Sequence, residues 1–264
     1  MTDYYGGGIC GGVWGESHTH ATIQHNKIMG NRASMGGGIA FCDGAIRSNT
    51  ITANTCRNEG GGLYWCDGII ENNTVIENSA YHGAGLYQCF GTIRNNNICD
   101  NVAEATGGGL FECGAAVRNN VICGNSADVS GGGGLADCSG PIQNNLVARN
   151  RGYRGGGLYY CGGPIENNTI DHTSASVEGA ALYRCGGTIR NCIIWVNNAH
   201  DDPQLYGSST PDYSCVEDWA EAGKTVIGDD PLFVDPDGPD DDYRTYEDND
   251  YHLSQDSPCV DAGE

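Results

Sequence analysis

Apolar residues recur along this chain as single positions and short pairs, separated by glycine and asparagine. Seven copies of one pattern follow each other: a glycine-rich triplet, an apolar residue, two variable residues, a cysteine, and then two Asn-containing turns around isoleucines. No window places apolar residues at the i, i+3, i+4, i+7 spacing of a helix. A fixed period of 23 to 25 residues predicts a stacked repeat architecture. The copies open at Gly36, Gly60, Gly83, Gly107, Gly132, Gly155 and Gly179.

Three short strands are predicted in each copy, because the apolar positions are β-type and the intervening Gly and Asn favour turns. When each copy stacks on the one before, the result is an all-β fold, a single right-handed parallel β-helix of about eight coils. The handedness follows from the general chirality of parallel crossovers. Residues 1–200 are assigned to the β-helix, and residues 201–264 to a loop-rich acidic cap that covers the open edge of the last coil.

Two asparagine columns repeat with the coil and predict ladders of stacked amides that hydrogen-bond along the rod. The first column is Asn49, Asn73, Asn96, Asn120, Asn145 and Asn168, followed by Cys192. The second column is Asn54, Asn78, Asn101, Asn125 and Asn150, followed by Thr173 and Asn197.

Seven of the fourteen cysteines share one repeat position, which predicts an internal column rather than a set of disulfides. In-register parallel strands point both Cβ atoms the same way, and this disfavours bridges between neighbours. Cys99 and Cys123 form a second short stack, whereas Cys215 and Cys259 are the better candidates for a disulfide. The column is Cys42, Cys66, Cys89, Cys113, Cys138, Cys161 and Cys185.

The charge is concentrated at one end of the chain. Residues 201–264 contain 19 acidic and 2 basic residues, which gives −17 of the formal −21. Such a balance argues against nucleic acid as a partner, and acidic polysaccharides would be repelled unless a divalent cation bridges the two. No stretch is long and apolar enough for a membrane span. The start does not resemble a signal peptide and lies almost inside a repeat, so we expect a piece of a longer exported protein.

Three segments near the end carry a family resemblance: Asp230-Pro-Leu-Phe-Val-Asp235, Asp250-Tyr-His-Leu253 and Ser257-Pro-Cys-Val-Asp-Ala-Gly263. They resemble the C-terminal segment of large exported β-helix proteins of environmental bacteria. The repeat is similar to that of the pectin-lyase-like superfamily, which contains pectate lyases and polygalacturonases. The resemblance implies the fold and an extracellular or cell-envelope location. It implies no activity, because this fold also carries adhesins and structural proteins.

The position after the conserved Ile or Leu is rich in aromatic rings. If the Leu points inward, its successor faces solvent, so these rings form a line on which sugar rings can stack. Two alternatives stay open: the line packs under a loop or against a second copy in a homo-oligomer, or it does neither. The position is occupied by Ala40, Tyr64, Tyr87, Phe111, Ala136, Tyr159 and Tyr183.

The next position is the least repetitive of the pattern. Glu112 and Asp137 fall on adjacent coils about 4.8 Å apart, so one of their pKa values should be raised. Such a carboxylate pair is what glycoside hydrolysis requires, while chance pairing of solvent-facing residues is the alternative. Trp65, Tyr160 and Arg184 are candidate sugar contacts. The position is occupied by Phe41, Trp65, Gln88, Glu112, Asp137, Tyr160 and Arg184.

Two further segments contain candidate metal ligands. In the first coil three extra residues fall within the segment 15–21, which contains Glu16, His18 and His20. These three side chains predict a transition-metal site or, alternatively, the segment is a capping or interface loop. In the tail, alternating carboxylates around a glycine predict a Ca²⁺ loop or, alternatively, a solvated acidic cap. These carboxylates are Asp235, Asp237, Asp240 and Asp242.

The sequence therefore supports three functional hypotheses. The first is an exported or cell-surface module that contacts polysaccharide, or mediates adhesion, without catalysis. The second is a polysaccharide-cleaving enzyme, a glycoside hydrolase or lyase, that uses Glu112 and Asp137. The third is a structural spacer.

Overall fold

The computed structural model describes residues 5–13, 15, 18–201, 204–219, 225–240 and 249–260. Within these ranges every helix or strand element is a strand, and no helix suited to crossing a membrane occurs among them. The strands build four parallel sheets that run along a β-solenoid of about eight turns, which confirms the all-β fold. Each full turn has four strands rather than the predicted three, because a further strand precedes the glycine triplet.

The strands of the first sheet begin at the conserved Ile or Leu. They are Ile9–Cys10, Ile39–Ala40, Leu63–Tyr64, Leu86–Tyr87, Leu110–Phe111, Leu135–Ala136, Leu158–Tyr159, Leu182–Tyr183 and Leu205–Tyr206. The second sheet contains Ile23–Gln24, Ile46–Arg47, Ile70–Glu71, Ile93–Arg94, Val117–Arg118, Ile142–Gln143, Ile165–Glu166, Ile189–Arg190 and Pro211–Asp212.

The third sheet contains Lys27–Met29, Thr50–Thr52, Thr74–Ile76, Asn97–Cys99, Val121–Cys123, Leu146–Ala148, Thr169–Asp171, Ile193–Trp195, Ser214–Val216 and Val226–Ile227. The fourth sheet contains Arg32–Met35, Thr55–Glu59, Ser79–His82, Val102–Thr106, Ser126–Ala127, Arg151–Gly152 and Ser174–Ala175. An antiparallel pair, Phe233–Asp235 with Asp250–Leu253, lies in the C-terminal segment.

The same corner follows the strands of the first three sheets. A buried apolar residue is followed by an outward residue, then by a residue with positive φ, and then by a second buried residue. In one coil these corners end with residues 64–66, 71–73 and 76–78. The cysteine column and the two asparagine columns are therefore the same position at three different corners.

Hydrogen bonds confirm the asparagine ladders. Asn73 donates its side-chain amide to Asn96 Oδ1 at 3.0 Å, and Asn78 donates to Asn101 Oδ1 at the same distance. The column cysteines make a hydrogen bond within their own coil, since Cys66 Sγ donates to the Tyr64 carbonyl at 3.4 Å. Together with stacked Ile, Leu and Val side chains, the seven-cysteine column fills the interior of the rod.

Cys99 and Cys123 stack on neighbouring in-register strands as predicted, but they are also joined by a disulfide with a Cα–Cα distance of 4.6 Å. Parallel register therefore does not prevent a bridge between neighbouring coils. The disulfide prediction for Cys215 and Cys259 is wrong. Cys215 and Cys259 are free thiols, although they lie side by side.

The C-terminal segment is continuous with the solenoid. Leu205–Tyr206, Pro211–Asp212 and Ser214–Val216 each add a strand to one of the first three sheets. Leu253 and Cys259 line a small cleft against the last coil, so the antiparallel pair lies next to it. The division into a β-helix before residue 200 and a cap after it stays a prediction.

Candidate functional site

The aromatic residues of the first sheet form two stacked runs. Tyr64 and Tyr87 have ring centroids 5.5 Å apart, and Tyr159 and Tyr183 have centroids 5.4 Å apart. Tyr206 extends the second run and lies 5.3 Å from Tyr183. Sequence reasoning missed Tyr206 because no glycine triplet precedes it, although the Leu-Tyr pair itself marks the position. Ala136 separates the two runs, and we call the whole set the aromatic column.

The expectation that these rings face solvent is wrong for Tyr64, Phe111 and Tyr183, whereas Tyr87 and Tyr159 are half-buried. Tyr64 and Tyr183 are 5% exposed and Phe111 is 9% exposed. The glycine that opens each copy has positive φ, and a Cβ at Gly60 would lie 2.7 Å from Tyr64 Cβ, so the base of the Tyr64 side chain packs directly on the glycine. Residues that end the fourth-sheet strands cover the other side, as His82 does by stacking on Phe111 at 5.3 Å.

The next residue of each copy forms a second line of side chains, which we call the outer row. Its residues from Phe41 to Arg184 all have positive φ, which turns the side chain away from the strand. Within the row the Trp65 indole N–H donates to Gln88 Oε1, and Gln88 donates in turn to Glu112 Oε2 at 2.6 Å. Arg184 donates to the Tyr160 hydroxyl at 3.1 Å. Hydrogen bonds thus connect side chains on successive coils in two stretches of the row.

Glu112 and Asp137 are neighbours in this row, because their strands pair Phe111 with Ala136. Desolvation is the main cause that raises the pKa of the Asp137 carboxyl to about 6, and Cys161 and Glu112 add smaller contributions. The sequence predicted one raised pKa through repulsion between the two carboxylates. Glu112 contributes, but the protein around Asp137 matters more.

Two groups that the sequence did not suggest lie beside the row, at the ends of fourth-sheet strands. Desolvation raises the pKa of the Glu59 carboxyl, with a smaller contribution from Glu112. Desolvation also lowers the pKa of the His82 imidazole, whose buried Nδ1 has no hydrogen-bond partner within the described ranges. The sequence did contain one signal for Glu59 and His82, because the residue before the glycine triplet varies along the chain.

The exposed ends of the outer row are aromatic and cationic. Tyr160 is 40% exposed, and the Arg184 guanidinium lies 5.9 Å from its ring centroid. Trp65, at the other end, is half-buried. Four coil spacings separate Trp65 from Tyr160, which is roughly 19 Å at the strand spacing of a sheet. The row therefore offers ring faces, an amide and two carboxylates over that length, with the Arg184 guanidinium one coil further on.

No family model matches this chain, and no curated protein or solved structure matches it. The solenoid, the asparagine ladders and the buried cysteines are properties of the structure itself. What the chain does must therefore be inferred from the chemistry of its surface.

Two of the predicted transition-metal ligands lie within the described residues. His20 is exposed, whereas His18 is half-buried and its Nδ1 lies 3.0 Å from Asp43 Oδ1. Glu16 and Asp242 lie outside the described residues. Asp235, Asp237 and Asp240 belong to a turn closed by the Gly238 N–H donating to the Asp235 carbonyl at 3.2 Å, and the described tail carboxylates form no three-ligand group. The Ca²⁺ loop stays a prediction.

Proposed function

We propose that this protein is an exported or cell-surface module of the pectin-lyase-like type that binds a polysaccharide along the outer row without cleaving it. The observation that carries the proposal is the row itself, in which hydrogen-bonding and aromatic side chains on successive coils follow the rod axis. The C-terminal segments that resemble exported β-helix proteins support the location.

The contrast with neighbouring columns supports a binding role. The Leu, Cys and Asn columns repeat almost without change because they build the rod. The outer row repeats its backbone conformation but not its side chains, so its residues are free of the constraint that fixes the others. A linear polymer of polar units needs such an extended series of donors and acceptors, with ring faces for the apolar sides of sugars.

The burial of the aromatic column changes which rings contact the ligand. Tyr64 and Phe111 contribute little direct contact, because little of their surface reaches solvent. Contact with sugar faces is assigned to Trp65 and Tyr160, with Tyr87 and Tyr159 contributing only their accessible edges. Oligomerisation through the aromatic column is less favoured for the same reason.

Glycan-array binding followed by calorimetry tests this proposal, with neutral and acidic polysaccharides and with Ca²⁺ present or absent. We expect Trp65→Ala and Tyr160→Ala each to weaken binding about tenfold or more, which is the loss of one ring contact. Trp195→Ala is the matched control, since this half-buried Trp lies on the third sheet. Equal loss in the control, or no glycan bound by the wild-type chain, would reject the proposal.

A second function is favoured by one observation, the raised pKa of Asp137 beside Glu112. A carboxyl that holds its proton near pH 6 can protonate a glycosidic oxygen, while a second carboxylate stabilises or attacks the sugar. Reducing-sugar and unsaturated-product assays test this hypothesis. Activity must be lost in both Asp137→Asn and Glu112→Gln, whereas binding that persists in both variants without any product supports the noncatalytic role.

A further inference from the structure

We propose that His18, Asp43 and Asp67 form a binding site for a first-row divalent cation such as Zn²⁺, at the N-terminal end of the outer row. The site brings together one imidazole and two carboxylates from three successive coils. It differs from the ligand set expected from the sequence, in which Glu16 and His20 accompanied His18. It does not depend on polysaccharide binding.

The register of the first coil brings His18 to this place. After the inserted loop the chain rejoins the solenoid at Thr19, which forms a parallel bridge with Cys42. The Asp43 N–H donates to the Thr19 carbonyl at 2.7 Å, and this bond fixes the register. His18 thereby occupies the position of Phe41, one coil earlier, and becomes the first residue of the outer row.

The three side chains are close enough to share one cation. His18 Nδ1 lies 3.0 Å from Asp43 Oδ1, and one ligand atom from each residue lies within 4.8 Å of the other two. Small side-chain rotations would bring all three to the distances of about 2.0 to 2.2 Å that Zn²⁺ requires from N and O ligands. Nitrogen with carboxylate oxygen suits Zn²⁺ and its first-row neighbours.

The charge of the site also favours a cation. Asp43 and Asp67 follow their column cysteines on neighbouring coils, so two carboxylates face each other at coil spacing. His18 is the only basic group that forms an ion pair with either of them within the described ranges. Desolvation raises the pKa of the Asp67 carboxyl, and Asp43 adds to the shift. A divalent ion would satisfy both carboxylates at once.

The surroundings hold the ligands in place and leave oxygen atoms available. The imidazole of His18 is 11% exposed and packs on Phe41 and Trp65, with ring centroids 4.9 and 6.1 Å away. Asp67 Oδ1 accepts the Phe90 N–H at 3.0 Å, and Asp43 Oδ1 accepts the Asp67 N–H at 3.4 Å. Each carboxylate thus anchors the next coil with one oxygen, and no hydrogen bond within the described chain engages the other.

Calorimetric titration of the apo chain with Zn²⁺ alone tests the proposal, with quenching of Trp65 fluorescence by Co²⁺ as a second readout. We expect one Zn²⁺ per chain at this site and an affinity at least tenfold lower in His18→Gln and in Asp67→Asn. Asp67→Asn should keep the fold, because its amide oxygen can still accept the Phe90 N–H. His20→Gln, an exposed histidine two residues away, is the matched control and should bind as the wild type does.

Three results would overturn the proposal: no Zn²⁺ or Co²⁺ binding by the wild-type chain, unchanged affinity in Asp67→Asn, or an equal loss in His20→Gln. Circular dichroism on each variant separates loss of the site from loss of the fold. Failure of glycan binding leaves this result unaffected, because the titration contains no glycan.

Discussion

Gln88 donates its side-chain amide to Glu112 Oε2 on the next coil at 2.6 Å, and it accepts the Trp65 indole N–H on its other side. One amide thus sets the orientation of a ring and of a carboxylate that belong to different coils. Because the three side chains are half-buried, the arrangement persists only while the amide satisfies both neighbours.

If the outer row binds polysaccharide, Gln88→Ala should weaken binding about tenfold, which corresponds to roughly 1.4 kcal/mol, because Trp65 and Glu112 lose their common orientation. Calorimetry with the glycan found on the array measures the effect. Gln143→Ala is the control, because Gln143 donates to Glu166 at 2.8 Å in a similar pair on the second sheet. A similar loss in both variants would mean that the row has no special role.

Asp137 should make the protein less stable as pH rises. Its pKa is about 6 in the folded chain and ordinarily 3.8, so between those values only the folded chain holds the proton. The free energy of unfolding therefore falls as pH rises from about 4 to about 6 and changes no further through this group above that range. Because the side chain is exposed, we expect a change of only about 1 kcal/mol.

Asp137→Asn should accordingly be about 1 kcal/mol more stable than the wild type at pH 7 and equal to it at pH 4. Urea unfolding at both pH values measures the difference. Glu77→Gln is the control, since this exposed carboxylate occupies the equivalent corner after a third-sheet strand. A gain of the same size at pH 4 would contradict the assignment.

The repeat predicted the rod well because its columns report local geometry. Asn78 and Cys66 recur at fixed spacing, and the corner that each occupies needs only its own coil and the next one. The fourth strand of each coil escaped prediction because its buried residues, such as Ala80 and Ala103, are small and carry no strong β pattern.

The candidate site was harder to predict, since it depends on how separate sheets meet. Tyr64 follows an inward Leu on its strand, so alternation placed it in solvent. The structure buries it because Gly60, which has positive φ, packs against the base of the Tyr64 side chain. His18 meets Asp43 only because the inserted loop rejoins the rod at Thr19, a register that the spacing of residues does not reveal.

The glycine that opens each copy should tolerate no side chain. Gly60 has φ +72°, and a Cβ there would lie 2.7 Å from both the Leu63 carbonyl oxygen and Tyr64 Cβ. We expect Gly60→Ala to lower the free energy of unfolding by about 3 kcal/mol or more, because backbone strain and a steric clash add together.

The variant Gly30→Ala separates the effect of backbone strain from that of the steric clash. Gly30 has a similar φ of +66°, but a Cβ at this residue would meet no atom within 4 Å, and Ala53 occupies the equivalent corner one coil later with φ 52°. Its substitution should therefore cost only about 1 kcal/mol. Denaturant unfolding of both variants measures the difference, and equal losses would show that the steric clash at Gly60 adds nothing to the backbone strain.

Counting reactive thiols should distinguish the exposed, the buried and the disulfide-bonded cysteines. Twelve cysteines are free in the structure, and of these only Cys10 is exposed and only Cys259 is half-buried. A thiol reagent should therefore modify Cys10 rapidly in the native protein, Cys259 slowly, and the ten buried thiols hardly at all.

In denaturant without reductant we expect twelve reactive thiols, and after prior reduction all fourteen. Cys99→Ala should raise the unreduced count to thirteen, because it releases Cys123 from its bridge while removing a residue that did not react. A count of fourteen before reduction would contradict the Cys99–Cys123 disulfide. A count of ten would instead show that Cys215 and Cys259, which lie side by side, are joined as the sequence suggests.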